Sequence, residues 1–257
     1  MKRGKWTPYA WVSLLRWLIP GFYFCTWLGY LLFREALSLG TLLLDFLLSS
    51  FLFFVLWLTS TLVLRAQRKL REESLKMITA LLSLTEAKDP YAGGHSLNVA
   101  EKAVAIGEVM GLSKQEIEDL RAATLLHDIG KIGIPSEVLH KPSRLTMAEF
   151  EVMKSHPAAS VEIVQALEPL AATIPAILHH HERYDGQGYP DGLKGEEIPL
   201  LARVLAVANS IEAMSSDRPY RLAMTREEMI ATLKEGAGSQ WDPRVVKAAL
   251  KVLEKTS

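Results

Sequence analysis

The sequence predicts an all-α chain in which two transmembrane helices precede a helical bundle. Two long apolar runs open the chain, helix-start signals recur through the remainder, and no alternating strand pattern of useful length appears.

The first apolar run extends from about Trp17 to Phe33 and the second from Phe46 to Leu64. A helix needs about 20 mostly apolar residues to cross the hydrocarbon core, and each run reaches that with a few flanking residues. A cleaved signal peptide would account for the first run alone, and a pair of buried core helices is the other alternative. A membrane hairpin explains both runs at once. Lys2, Arg3 and Lys5 precede the first run, and Arg65, Arg68, Lys69 and Arg71 follow the second. Between the runs the one cation is Arg34, beside Glu35. Positive residues stay inside, so the expectation is a multi-pass protein of the cytoplasmic membrane with both termini cytoplasmic. Trp6, Tyr9, Trp11 and Trp17 suit an interfacial belt, and Arg16 and Asp45 read as residues at the membrane edges. The expected organisation is a hairpin over 1–64, a juxtamembrane linker helix over 65–80 and a soluble domain over 81–257. A homodimer through the linker helix is the self-association such a layout permits.

The soluble part reads as helix throughout. Ser113 with Glu116, Thr146 with Glu149 and Thr225 with Glu228 have capping-box spacing, and Asp242-Pro243 is a further helix start. Ile117, Leu120, Ala123 and Leu126 recur every three residues, and Ile163 and Leu167 are four apart. Gly and Pro concentrate in one loop, Asp185 to Pro199.

Lys+Arg and Asp+Glu number 29 each, so the net charge is zero. That balance gives no reason to expect DNA or RNA as partner, while a small phosphate ligand needs only a local positive cluster. The one cysteine, Cys25, excludes an intrachain disulfide and a thiolate zinc site. The seven histidines all lie between His95 and His181, and only His140 lacks a motif around it.

The sharpest motif is His127-Asp128-Ile129-Gly130-Lys131. Adjacent side chains on a helix diverge by about 100°, so the pair can serve one metal or bridge to a second. Lys131, one turn on and on the face of His127, would set a positive charge beside a metal-bound phosphate. A hydrogen-bonded core pair of His and Asp is the alternative. His179-His180-His181-Glu182 ends an apolar segment, and three adjacent imidazoles are hard to justify as packing. His95, in Gly93-Gly94-His95-Ser96, and His156, before Pro157, add two candidates. Such nitrogen and oxygen donors suit iron, manganese, nickel or zinc rather than calcium or magnesium. Two cations bridged by hydroxide would hydrolyse phosphoesters. Arg183 to Pro190 and Arg218-Pro219-Tyr220-Arg221 add guanidinium groups for phosphate and aromatic faces for a base. An ordinary charged surface loop is the alternative for that pair of segments.

These segments together resemble the HD-GYP family of bacterial cyclic di-GMP phosphodiesterases, from about Leu81 to Leu253. The resemblance rests on DPYAGGHS, HDIGKIGIP, KSHP, HHHERYDGQGYPDGLKGEEIP, SDRPYR and WDP. It implies an HD-domain helical fold around a two- or three-metal cluster, often iron or manganese. It also implies hydrolysis of cyclic di-GMP to the linear dinucleotide, GMP or both. Carried over by motif, the metal ligands are His95, His127, Asp128, His156, His180 and His181, with Asp128 bridging. Lys131 would orient the nucleophile or phosphate, and Tyr189, Arg218 and Arg221 would hold substrate. His179 falls at a variable position and is not expected to be a ligand.

The chain departs from the family pattern at three places. Asn209 stands where the family has an aspartate ligand; its carbonyl oxygen can coordinate, without charge. Glu212, one turn on, would reach in as a substitute or support the ligands from behind. Tyr91 stands where three-metal members carry glutamate, so two divalent transition metal ions are expected. Asn209 keeps open a weak or inactive membrane-tethered nucleotide receptor as the second reading. A phosphodiesterase for another cyclic dinucleotide, such as cyclic GMP-AMP, is the third.

Overall fold

The structure, a computed structural model, describes residues 21, 27–29, 39–88, 94–217 and 222–255. The chain divides into two compact units, Met1–Glu73 and Ser74–Ser257. Among the described residues there is no strand, only an isolated bridge between Ala237 and Trp241.

In the first unit the second apolar run lies in helix α1 (Leu39–Lys88), which continues into the second. Within it Leu43–Ala66 has mean hydropathy 2.1, long and apolar enough to cross a membrane. Leu43, Phe46, Phe51 and Trp57 are exposed. Polar side chains there turn back on the helix: Ser49 Oγ donates to Asp45 O at 2.6 Å, and Thr61 Oγ1 to Trp57 O at 2.8 Å. Such back-bonding satisfies the hydroxyls within the helix itself. Most of the first expected span, Trp17 to Phe33, and the N-terminal cations lie outside the described residues.

The second unit begins with the last turns of α1, where Ile78 is buried and Lys88 Nζ donates to the carbonyls of Ile132 and, at 2.7 Å, Ile134. There follow α2 (His95–Met110), α3 (Lys114–Leu126), α4 (Ser136–Leu139), α5 (Met147–Met153), α6 (His156–Val164), α7 (Ile174–Leu178), α8 (Leu200–Ser215), α9 (Arg226–Gly236) and α10 (Pro243–Lys255). Short 3-10 turns cover Ile129–Gly133, Glu168–Thr173 and Gly195–Glu197. All three expected capping boxes form, at the starts of α3, α5 and α9. Each satisfies backbone N–H groups that the first turn leaves without partners. At α10, Asp242 Oδ1 accepts from Arg244 N at 2.7 Å, while Oδ2 accepts from Arg203 of α8 at 2.5 Å.

Two apolar clusters make the core. One joins Ile106 of α2, Leu120 of α3, Leu205 of α8, Leu233 of α9 and Val245 of α10. The other joins Ile78, Leu126 of α3, Val164 of α6 and Ile177 of α7. Helix α3 contributes to both, so its C-terminal end is held from two sides, and His127 follows directly.

Candidate metal centre

Three of the expected histidines sit at helix ends for a shared reason. His127 follows the last residue of α3, His156 opens α6 just beyond α5, and His180 lies just past α7. In each, Nδ1 lies 2.7 Å from the carbonyl three residues earlier, of Thr124, Met153 and Ile177 respectively. The last carbonyls of a helix lack intrahelical partners, and the imidazole N–H caps one. Donation from Nδ1 fixes the tautomer and leaves each Nε2 with a free lone pair.

Those Nε2 atoms, of His127, His156 and His180, are buried and have no hydrogen-bond partner, and neither has Asp128 Oδ1. One unpaired buried polar group costs about 1–3 kcal/mol, so four facing one another ask for an occupant. Neutral imidazole and carboxylate oxygen are the donor set of a transition metal ion, so these residues fit one. Two sets of donors each lie within 4.8 Å of one another: His156, His180 and His181, and His95, His127 and Asp128. Asp128 faces both, with Oδ1 3.3 Å from His156 Nε2 and Oδ2 3.2 Å from His127 Nε2. A carboxylate so placed can bridge two ions.

A buried hydroxyl docks the two segments that carry these groups. Ser160 Oγ accepts from Gly130 N and donates to His127 O, both at 2.8 Å. Gly130 fits because it has no side chain: a Cβ there would lie 2.1 Å from His156 O and 2.5 Å from Ser160 N. Sequence reasoning missed Ser160, although it stands four residues after His156, one helical turn along the same face.

The structure corrects the reading of His127 and Asp128 as helical neighbours. Helix α3 ends at Leu126, and Asp128 has φ −101° and ψ 3° in the turn beyond. Lys131, on the following 3-10 turn, therefore points to Asp128 rather than sharing the face of His127: Nζ lies 2.7 Å from Oδ2. His95 opens α2, and its Nε2 lies 3.2 Å from Asn209 Oδ1 on α8. Glu212 is occupied elsewhere and does not reach in as a substitute. Its Oε1 accepts from Asn98 at 3.0 Å and Oε2 from Lys102 at 2.5 Å, tying α2 to α8 behind that contact.

Tyr189 stacks on His181, ring centres 4.8 Å apart and planes 22° apart. The loop that carries it is folded hard against the histidines. A Cβ on Gly188 would lie 2.3 Å from Arg183 N, and buried Glu182 accepts from Asp191 N at 2.7 Å. Phe150, which the sequence reading did not single out, packs its edge on Tyr189, and Lys154 Nζ of the KSHP segment lies 5.0 Å from the Phe150 ring. His179 Nδ1 lies 3.8 Å from Glu182 and 3.7 Å from Asp191, outside both donor sets. Tyr91, Arg218 and Arg221 lie outside the described residues. The donors open on a cavity of about 340 Å³, whose wall includes His95, Asp128, Lys131, His181, Arg183 and Asn209.

Burial, then neighbouring His181, holds His180 well below the ordinary imidazole range. Burial, then His156, lowers His181 to about 3, and burial with His127 lowers His95. These rings are neutral at physiological pH, the form that binds metal. Burial pushes the Asp128 carboxyl up, but His127 and Lys131 outweigh it and keep it ionised.

Residues 71–245 match the profile of the HD domain family. The chain is 39% identical over 191 residues to the cyclic di-GMP phosphodiesterase response regulator RpfG of Xanthomonas campestris, covering 74% of this chain and 50% of that protein. It is 37% identical over 177 residues to the 3'3'-cGAMP-specific phosphodiesterase 3 of Vibrio cholerae, covering 69% and 38%. The chain thus spans half or less of the length of these relatives. In fold it resembles a solved cyclic GMP-AMP specific phosphodiesterase of V. cholerae, with TM-score 0.52 and 22% identity over 69% of this chain and 47% of that one.

Proposed function

The chain belongs to the HD domain family, and on that premise we propose that it is a metal-dependent phosphodiesterase that opens a cyclic dinucleotide, cyclic di-GMP first among them. The observation that carries this reading is the convergence of the unpartnered Nε2 atoms of His127 and His156 on the two oxygens of Asp128, with the ring centre of His180, its Nε2 also unpartnered, 5.0 and 5.5 Å from theirs. His95, His127, Asp128, His156, His180 and His181 would hold two divalent ions, iron or manganese, with Asn209 a neutral seventh donor. Bound there, such ions supply a nucleophile at neutral pH and stabilise charge on the scissile phosphate.

The protein's own groups do the rest. Asp128 spans both donor sets and fixes their separation. Lys131 Nζ, at the cavity wall, offers N–H to a phosphate oxygen as a point charge. The Tyr189 hydroxyl is pushed up by burial and then by Asp128, so it keeps its proton and can donate. Stacking on His181 holds that ring beside the site. Arg218 and Arg221 would grip the phosphates or ribose of the substrate. The product is the linear dinucleotide, with GMP after a second cut.

The relatives' names offer both cyclic di-GMP and cyclic GMP-AMP as substrates. Helix α1 supports membrane attachment. The finer reading (a hairpin with both termini cytoplasmic, in the cytoplasmic membrane, dimerising through 65–80) rests on the two apolar runs of the sequence and the flanking cations. A second reading, a nucleotide receptor that does not cut, is favoured by one observation: Asn209 is uncharged and already bonded to His95. Parallel turnover assays on both nucleotides with the manganese-loaded full chain separate the two. Linear product that vanishes with chelator is expected. Nucleotide bound but intact establishes the receptor instead.

A further inference from the structure

We propose that the two halves of this cluster bind metal unequally: His156, His180, His181 and Asp128 Oδ1 hold one ion tightly, and the His95 half takes a second only when a phosphate comes with it. This rests on the metal-centre reading above and adds an order of loading to it.

The two halves differ in what their donors already touch. In the first, His156 Nε2, His180 Nε2 and Asp128 Oδ1 are buried without partners. An ion entering there satisfies groups that the fold leaves unpaired and breaks no protein contact. In the second half only His127 Nε2 is unpartnered. His95 Nε2 lies 3.2 Å from Asn209 Oδ1; an amide oxygen only accepts, so Nε2 carries the proton. To ligate an ion there, His95 must move that proton to Nδ1 and release Asn209. Asp128 Oδ2, the third donor, is held by Lys131 at 2.7 Å. An ion must displace the ammonium or share the oxygen with it, and like charges that close repel strongly.

The charge around the cavity points the same way. Its wall carries the carboxylates of Asp128 and Glu182 and the ammonium of Lys131, while Arg183 is paired with Asp185 at 2.6 Å. The first dication more than offsets the charge that remains, and Asn209, being neutral, adds none for a second. A phosphate supplies the missing negative charge. It also gives Lys131 a new acceptor, which draws the ammonium from Asp128 Oδ2 and frees that oxygen as a donor. Metal loading and phosphate binding are then reciprocally coupled, as any two linked ligands must be.

The test is a manganese titration of the detergent-purified full chain, by calorimetry and electron paramagnetic resonance, with and without inorganic phosphate. Without phosphate, one ion per chain binds tightly and gives the six-line signal of isolated manganese, while a second binds about 100-fold more weakly. Saturating phosphate tightens the second ion about tenfold or more and brings the broadened signal of a coupled pair. Asn209→Asp, which adds the missing charge, and Lys131→Met, which uncovers Oδ2, each tighten the second ion about tenfold without phosphate. Two ions of equal affinity in the phosphate-free wild type would overturn the proposal. So would a second affinity that neither phosphate nor either substitution moves. A chain that retains no manganese overturns the metal-centre reading along with it, which distinguishes the two failures.

Discussion

Replacing Ser160 by alanine deletes one oxygen that touches no metal donor, yet the geometry makes it a test of how the centre is held together. Ser160 is fully buried, and its Oγ serves Gly130 N and His127 O at 2.8 Å each. The substitution leaves a buried N–H and a buried carbonyl without partners, at about 1–3 kcal/mol each. Since both open onto one small space, the expected loss is about 2–4 kcal/mol. For a domain of this size each kcal/mol lowers the melting temperature by about 2–4 °C, so the metal-free protein should melt about 4–16 °C lower. The same change unpins the 3-10 turn from α6, so manganese affinity should fall about tenfold or more, as when the groups supporting metal ligands are removed. Calorimetric melts and manganese titrations of the full chain read both numbers. Thr173→Val is the control: it removes a buried hydroxyl that donates to Leu170 O at 2.7 Å, in the 3-10 turn before α7, and should lower stability alone. If Ser160→Ala melts within about a degree of wild type, or if Thr173→Val weakens manganese equally, the pinning argument is wrong.

Two further outcomes follow from other parts of the structure. In Gly188→Ala the added carbon meets Arg183 N at 2.3 Å, so the loop must lift and take Tyr189 off His181. The KM for cyclic dinucleotide should rise about tenfold with manganese content unchanged, and a variant identical to wild type in both would contradict the role given to the loop. The second concerns pH and Asp242. Burial pushes that carboxyl up, but the Arg244 backbone N–H and the Arg244 and Arg203 side chains outweigh it and hold it below its ordinary 3.8. A depressed folded value means that the stabilisation is complete above pH 3.8 and disappears as pH falls through the lower folded value. The melting-temperature gap between wild type and Asp242→Asn should therefore hold steady from about pH 7 to 5 and narrow below about 4. A gap that already closes between about pH 7 and 5 would place the titration elsewhere.

What the sequence disclosed and what it concealed separate along a physical line. The starts of α3, α5 and α9 were legible because a capping box is local, a side chain and a backbone N–H three residues apart. The run that became Leu43–Ala66 was legible because length and hydropathy need no tertiary partner. The histidines were legible as a set, since several imidazoles near one His-Asp pair have few other uses. The end of α3 was not, and with it the direction of Lys131. No glycine or proline marks Leu126, and the helix stops because His127 caps its own carbonyls through Thr124 O. The contact between His95 and Asn209 spans 114 residues of sequence, beyond any spacing rule. Of the two roles open to Glu212, spare ligand or support from behind, the sequence could not choose, because its partners, Asn98 and Lys102, come from another helix.

Those long-range contacts bear on how the protein departs from the family pattern. An aspartate at residue 209 would leave the second half of the cluster charged and open. Asparagine instead closes on His95, and Lys131 closes on Asp128, so in that half only His127 Nε2 is left without a partner. On the proposed reading, that one residue sets the order in which the centre fills while leaving its other donors in place.

The metal centre, and every role assigned around it, requires that the buried imidazoles hold metal. The decisive measurement is the transition-metal content of the full chain after exhaustive dialysis, wild type beside His180→Ala, with folding of both checked by circular dichroism. His180 is 1% exposed and its Nε2 has no protein partner, so the wild type should retain at least about one ion per chain and the folded variant should lose it. A wild type that retains none, or a variant that keeps the wild-type complement, would contradict the assignment of the centre.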